Sequence, residues 1–143
     1  MPEFNVKDIN KWLDKRLDEM AQFIFSKSQE NLVANGTPDT GILLKSGYVR
    51  RTKNNVREIG YLAPYSGSVE YGQPPHPMDP HKLIGWVKRK LGVSDAESLG
   101  VAYAVAAKIS REGTDPQPFF RPALFLAVHR YKLKGKFSVR LKH

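Results

Sequence analysis

Apolar residues at Val6, Ile9, Leu13, Leu17, Met20, Ile24 and Leu32 recur at spacings of three, four or their multiples. That period predicts one long amphipathic helix over residues 6–34, opened by Asn5 as a cap and closed at Asn35-Gly36. Trp12, Phe23 and Phe25 widen its apolar surface beyond a single stripe, and a broad helix core is the expected explanation. After Gly36-Thr37-Pro38-Asp39 the run 40–51 is apolar at its start and strand-like at its end. Lys53-Asn54-Asn55 supplies a turn, and residues 56–62, with β-branched Val56 and Ile59, complete a hairpin. Residues 65–71 read as a third short strand or an edge, closed by Gly72 and the loop Gln73-Pro74-Pro75-His76-Pro77.

The pattern then turns helical again. Asp79-Pro80 pairs a carboxylate cap with a first-turn proline, and Leu83, Ile84, Val87 and Leu91 carry the period to Gly92. Ser94-Asp95-Ala96-Glu97 has the spacing of a capping box; Leu99, Val101, Ala102, Val105, Ala106 and Ile109 line the next helix up to Gly113. Pro122 suits the first position of a last helix that runs to Lys132 with Leu124, Phe125 and Val128 inward. Finally Leu133, Gly135, Phe137, Val139 and Leu141 alternate with Lys132, Lys134, Lys136, Ser138, Arg140 and Lys142. Strict period-two order argues for a strand with one apolar and one basic face. The fold class expected is α+β: a long N-terminal helix on a small antiparallel sheet, further helices and a C-terminal strand.

Pro116-Gln117-Pro118-Phe119-Phe120-Arg121-Pro122-Ala123-Leu124 is the most unusual segment. Its prolines bias Gln117 and Arg121 toward extended backbone. Adjacent rings on an extended backbone point to opposite faces, so either one fills the core while the other is offered to a second surface, or both are core.

The chain of 143 residues fits one domain, 1–143, with 132–143 as a basic arm or strand. It has no cysteine, which excludes disulfides, thiolate metal sites and a cysteine nucleophile. No membrane span or hydrophobic leader is expected, so the product is made in the cytoplasm. A net charge of +9 favours polyanionic neighbours.

Catalytic patterns are sparse. His76 and His81 lack a third ligand at a recognised spacing, and no phosphate-binding glycine loop, nucleophile elbow or HExxH helix occurs. Glu58, Glu70 and His76 could serve a magnesium nuclease only if the fold gathered them. Glu70 reads instead as a partner for Arg121, an exposed pair worth about 0 to 1 kcal/mol.

Three motifs in order carry a resemblance. They are Pro38-Asp39-Thr40-Gly41 with Leu43 or Leu44 and Ser46; Ala63-Pro64-Tyr65 followed by Val69-Glu70-Tyr71-Gly72; and Pro118-Phe119-Phe120-Arg121-Pro122-Ala123-Leu124. Together they resemble the tail-completion or neck proteins of long-tailed bacteriophages, whose signatures include a "VE(F/Y)G" strand and "PFLRPAL". The helical stretch 79–113 is longer than in minimal members, and the basic C-terminal strand is not part of the core signature.

The resemblance implies a structural virion protein and no enzyme activity or cofactor. It implies a ring, hexameric, at the neck between head and tail, contacting portal, adaptor, stopper and tail proteins. Asp39, Thr40, Gly41, Ser46, Tyr65, Val69, Glu70, Tyr71, Gly72, Pro118, Phe119, Phe120, Arg121 and Pro122 would shape the fold and the subunit contacts. Lys132, Lys134, Lys136, Arg140 and Lys142 would face a neighbour or the DNA in the channel. The alternative is a stand-alone nucleic-acid-binding protein using that arm and Lys88-Arg89-Lys90.

Overall fold

The structure, a computed structural model, describes residues 5–36 and 39–132. In chain order these form α1 (Val6–Ala34), α2 (Ile42–Lys45), β1 (Gly47–Lys53), β2 (Val56–Tyr61), α3 (Ser66–Tyr71), a 3-10 turn (Pro80–Leu83), α4 (Ile84–Leu91), α5 (Asp95–Glu112) and α6 (Phe120–Arg130). The fold is mixed α+β, a long N-terminal helix packed on a two-stranded antiparallel sheet with further helices. The C-terminal strand expected over 132–143 falls, beyond Lys132, outside the described residues.

Local chemistry explains most element ends. Asn5 Oδ1 accepts from the Lys7 amide at 3.0 Å and so satisfies one orphan donor of α1. Past Ala34 the chain leaves through Gly36 at φ 65°, a left-handed turn that glycine adopts without strain. The hairpin turns through Asn55 at φ 59°, where asparagine is among the tolerated residues. Its register pairs Gly47 with Tyr61 and Arg50 with Glu58. At the start of α5, Ser94 Oγ donates to Glu97 Oε2 at 3.0 Å, and Asp95 and Glu97 sit in the first turn, where negative charge is favoured.

Two cores form. The larger joins Ile24 and Leu32 of α1, Leu43, Tyr61, Ala63, and Phe119, Phe120, Ala123 and Ala127 of the last helix and its entry. The smaller holds Leu83, Val87, Ala102 and Ala106 between the 3-10 turn, α4 and α5.

Several expectations need correction. Residues 66–71 are helical, not a strand. Helical spacing puts Ser66, Gly67 and Glu70 on the buried side, which an alternating strand could not do. Residues 42–45, read only as an apolar start to a strand, form the short helix α2. The last helix opens at Phe120, so Arg121 is helical and Pro122 lies inside the first turn, where a missing N–H costs nothing. That helix ends at Arg130, and Phe125 points outward, 66% exposed. Both rings of the Phe-Phe pair are core, Phe119 at 0% and Phe120 at 8% exposure, because helical entry breaks the alternation that would have set them on opposite faces. Trp12, expected in a broad helix core, is 63% exposed.

Candidate functional site

The second and third motifs meet at Glu70. Its side chain is fully buried at the C-terminal end of α3. Glu70 Oε2 accepts from the amides of Phe119 at 2.8 Å and Phe120 at 2.9 Å. Oε1 accepts from the Arg121 amide and from Arg121 Nε, both at 2.9 Å. Arg121 Nη2 also donates to the Glu70 carbonyl at 3.3 Å. A carboxylate contributed from about 50 residues away thus does the work of a local N-cap for α6, on donors that have no partner within the helix. Four charge-assisted hydrogen bonds offset the desolvation of a buried carboxylate. The Glu70–Arg121 pair is therefore not the exposed, weak contact the sequence suggested: the carboxylate is sealed and the guanidinium is only part-exposed.

The surroundings lock this turn from both sides. Asn31 Nδ2 donates to the Phe119 carbonyl and Asn35 Nδ2 to the Pro118 carbonyl, each at 3.0 Å. The Arg121 guanidinium lies 4.3 Å over the Tyr71 ring, a cation–π contact. Gln117 N donates to Val69 O at 2.8 Å, and Gln73 and Thr114 exchange backbone bonds at 3.1 and 2.9 Å. At Gly72, φ 70°, an added Cβ would lie 2.4 Å from the Thr114 carbonyl oxygen; at Gly113, φ 76°, it would lie 2.0 Å from that of Gln73. Only glycine lets these two backbones approach so closely.

The first motif sits elsewhere and does a different job. Asp39 receives Arg89 Nε and Nη2 at 2.7 Å each, and Lys90 Nζ donates to the Gly36 carbonyl at 2.6 Å. The Arg89 guanidinium holds the Asp39 carboxyl below its ordinary range. Gly41, at φ 79°, enters α2, and Ser46 Oγ caps its end through the Leu43 carbonyl at 2.8 Å. Thr40 and Tyr65 are exposed, and Val69 packs half-buried on the larger core. This motif ties α1 to the α4–α5 unit.

The groups considered for other chemistry are spread out. Lys88 pairs with Asp95 at 2.7 Å, so the Lys88-Arg89-Lys90 cluster is committed to contacts within the chain. Glu58 takes Tyr48 Oη at 2.5 Å and a forked Arg50, which together lower its pKa, the tyrosine hydrogen bond first. His76 Nδ1 lies 2.9 Å from the Pro74 carbonyl, and His81 Nδ1 lies 3.2 Å from Asp79. Among the described residues no three histidine, aspartate or glutamate side chains are grouped to hold a metal ion, and no helix is long and apolar enough to cross a membrane. Lys132 is exposed at the end of the described chain; Lys134, Lys136, Arg140 and Lys142 lie outside it.

Sequence reasoning found the Glu70–Arg121 pairing but missed the three amides and the two asparagines. The asparagines carried only their spacing as a signal: Asn31 and Asn35 lie one helical turn apart, which puts them on one side of the end of α1. Exposed apolar residues were missed as well. Phe125 and Leu126 lie on the outer face of α6, and Val6, Ile9, Trp12 and Leu13 cover the first turns of α1 without burial.

No protein-family model matches the chain, no curated protein matches it, and no solved structure matches it.

Proposed function

We propose that the chain is a structural protein of a tailed phage or prophage, joining head to tail at the neck as a ring of identical subunits around the DNA. The observation that carries this reading is the outer face of α6. Phe125 and Leu126 follow directly on the Pro118 to Leu124 signature and are 66% and 46% exposed, while Phe120, Ala123 and Ala127 of the same helix are buried in the larger core and its first turn is held by Glu70 and Asn31. A helix fixed rigidly from one side and apolar on the other is suited to present an anchor to a neighbouring copy. The Glu70 turn then serves the joint indirectly, by holding that anchor in place.

The stand-alone nucleic-acid reading loses one of its two supports, because Lys88, Arg89 and Lys90 are engaged within the chain. The net charge of +9 remains compatible with a ring whose bore passes DNA, with contacts to phosphates that are blind to sequence.

The test is reconstitution. Purified chain is added to DNA-filled heads and to tails from the phage whose genome encodes it, and joined particles are counted by electron microscopy. A density ring at the junction and a rise in joined particles are expected. Unchanged joining, with the chain remaining monomeric beside both parts, would overturn the reading.

A further inference from the structure

We propose that the cleft between the first half of α1 and the tip of the β1–β2 hairpin is a binding site for the phosphate backbone of duplex DNA. The site deepens the neck reading, on which it rests for the presence of DNA, by naming where the described chain would touch a strand. The cleft has a volume of about 350 Å³ and is lined by Asn10, Lys11, Asp14, Arg51, Asn54 and Asn55. Every lining side chain is polar and none is aromatic, so the cleft offers hydrogen bonds and charge but no platform on which an unpaired base would stack.

The carboxylate in the lining is already neutralised. Asp14 Oδ1 accepts from Arg57 Nη2 at 2.8 Å and its Oδ2 pairs with Arg51 Nη1 at 3.1 Å, while Asp18 takes Arg57 Nε. Those two guanidiniums and two carboxylates balance one another. The positive charge around them is therefore surplus. Lys11 in the lining, Lys7 one turn earlier on the same side of α1, and Lys53 at the end of β1 are exposed and form no ion pair among the described residues. Arg16, Lys27 and Arg50 differ, each being paired with a glutamate, and Lys88, Arg89 and Lys90 are engaged within the chain.

The neutral donors suit the same ligand. Arg51 Nη2 donates to Asn54 Oδ1 at 2.7 Å, which orients that carboxamide and leaves its nitrogen for an outside acceptor. Lysine ammonium groups and asparagine amides are donors that meet phosphate and sugar oxygens without reading sequence. Residues 50–56 at the hairpin tip are all exposed, so nothing among the described residues bars a rigid duplex from the cleft. A chain of net charge +9 draws such a polyanion in, and the cleft gives it a place to stop.

The test is binding of a short labelled duplex to the whole chain, followed by fluorescence anisotropy across a salt series. A double variant, Lys11→Gln with Lys53→Gln, is compared with Lys108→Gln and Arg111→Gln, which removes the same charge from exposed positions on α5. The cleft variant should bind about tenfold more weakly at low salt, and its slope of log affinity against log salt should fall by about 2. The α5 variant should stay within about twofold of the parent. In the parent, added duplex should move the amide resonances of residues 10, 11 and 51–55. Equal losses in both variants would mean that net charge alone holds the DNA, and would overturn the proposal. So would resonance changes confined to other residues, the lack of any duplex binding at low salt, or polyglutamate displacing the duplex at equal charge concentration, which would make the partner an acidic protein. A chain that binds duplex through this cleft yet leaves heads and tails unjoined keeps the site and loses the neck reading; joining that proceeds with an unaltered cleft variant affinity does the reverse.

Discussion

The two halves of α1 are the same helix under two regimes. From Ala21 onward it meets α6 and the hairpin base: Ile24, Ser28 and Leu32 are buried, and Asn31 and Asn35 hold the turn before α6. Before Ala21 the helix is held mainly by charge, through Asp14 and Asp18 on Arg57 and Arg51 at the hairpin tip. Burial locks one half and ion pairs guide the other, although the apolar stripe runs through both. The difference lies in what covers the stripe, and α6, whose start Glu70 positions, lies along α1 from Asn35 and Asn31 to Phe23. The outer face of α6 resembles the bare half of α1, with apolar side chains on a well-formed helix and, among the described residues, no neighbour over them.

The largest effect should come from the hinge of this contrast. Glu70→Ala leaves the Phe119 and Phe120 amides buried without an acceptor and strips Arg121 of its carboxylate. A loss of about 3 to 5 kcal/mol in denaturant-measured stability is expected. A loss under about 1 kcal/mol would mean that Asn31 and Asn35 alone hold the turn.

Next in size is overpacking of the covered half. Ala127, fully buried between α6 and α1, has no room for extra methylenes, and Ala127→Leu should cost about 1 to 3 kcal/mol in the same measurement. The matching change on the bare half, Lys11→Leu, touches no packed interface and should stay within about 0.5 kcal/mol.

The smallest effects are in pH, and they separate the halves. Burial raises the pKa of Tyr61 above its ordinary 10.0, against the opposing hydrogen bond with Ser28. A raised folded-state value means the contribution is complete below pH 10.0 and is lost as pH climbs past it through the folded value. Tyr61→Phe should remove that alkaline loss, followed by melting between neutral and strongly alkaline pH. At the other half Asp14 is lowered below its ordinary 3.8, chiefly by its hydrogen bond to Arg57. Its contribution is present above 3.8 and is lost as pH falls below that value, so acid should free the hairpin tip from α1. Chemical shifts of Arg57 Nε and of residues 53–56 would record the release.

Much of this contrast was legible in the chain. Periodicity located α1, and the Asn54-Asn55 turn, the Asp79-Pro80 start and the Ser94 to Glu97 pattern located the hairpin, α4 and α5, because each depends on residues close in sequence. The pairing of Glu70 with Arg121 was also readable, as charge complementarity between two motifs. The helical state of residues 66–71 was not, since six residues are too few for the period to separate helix from strand. Nor was the helical start at Phe120, because the cap that permits it arrives from α3 through tertiary structure. Exposure of Phe125 and Trp12 escaped for a related reason: an apolar residue at core spacing is buried only if a neighbour arrives, and the neighbour is not written in the local pattern.

The most direct test of the account concerns the uncovered face of α6. The chain and its Phe125→Glu variant are compared by light scattering and electron microscopy, each alone and with the heads and tails of the phage proposed to encode it. The account predicts that the wild-type chain forms a closed ring whose mass is a whole multiple of the 16.2 kDa subunit, and that Phe125→Glu abolishes the ring while leaving the melting temperature of the subunit unchanged. Wild-type protein that stays a single copy in every mixture, or a variant that assembles as well as the parent, would contradict it.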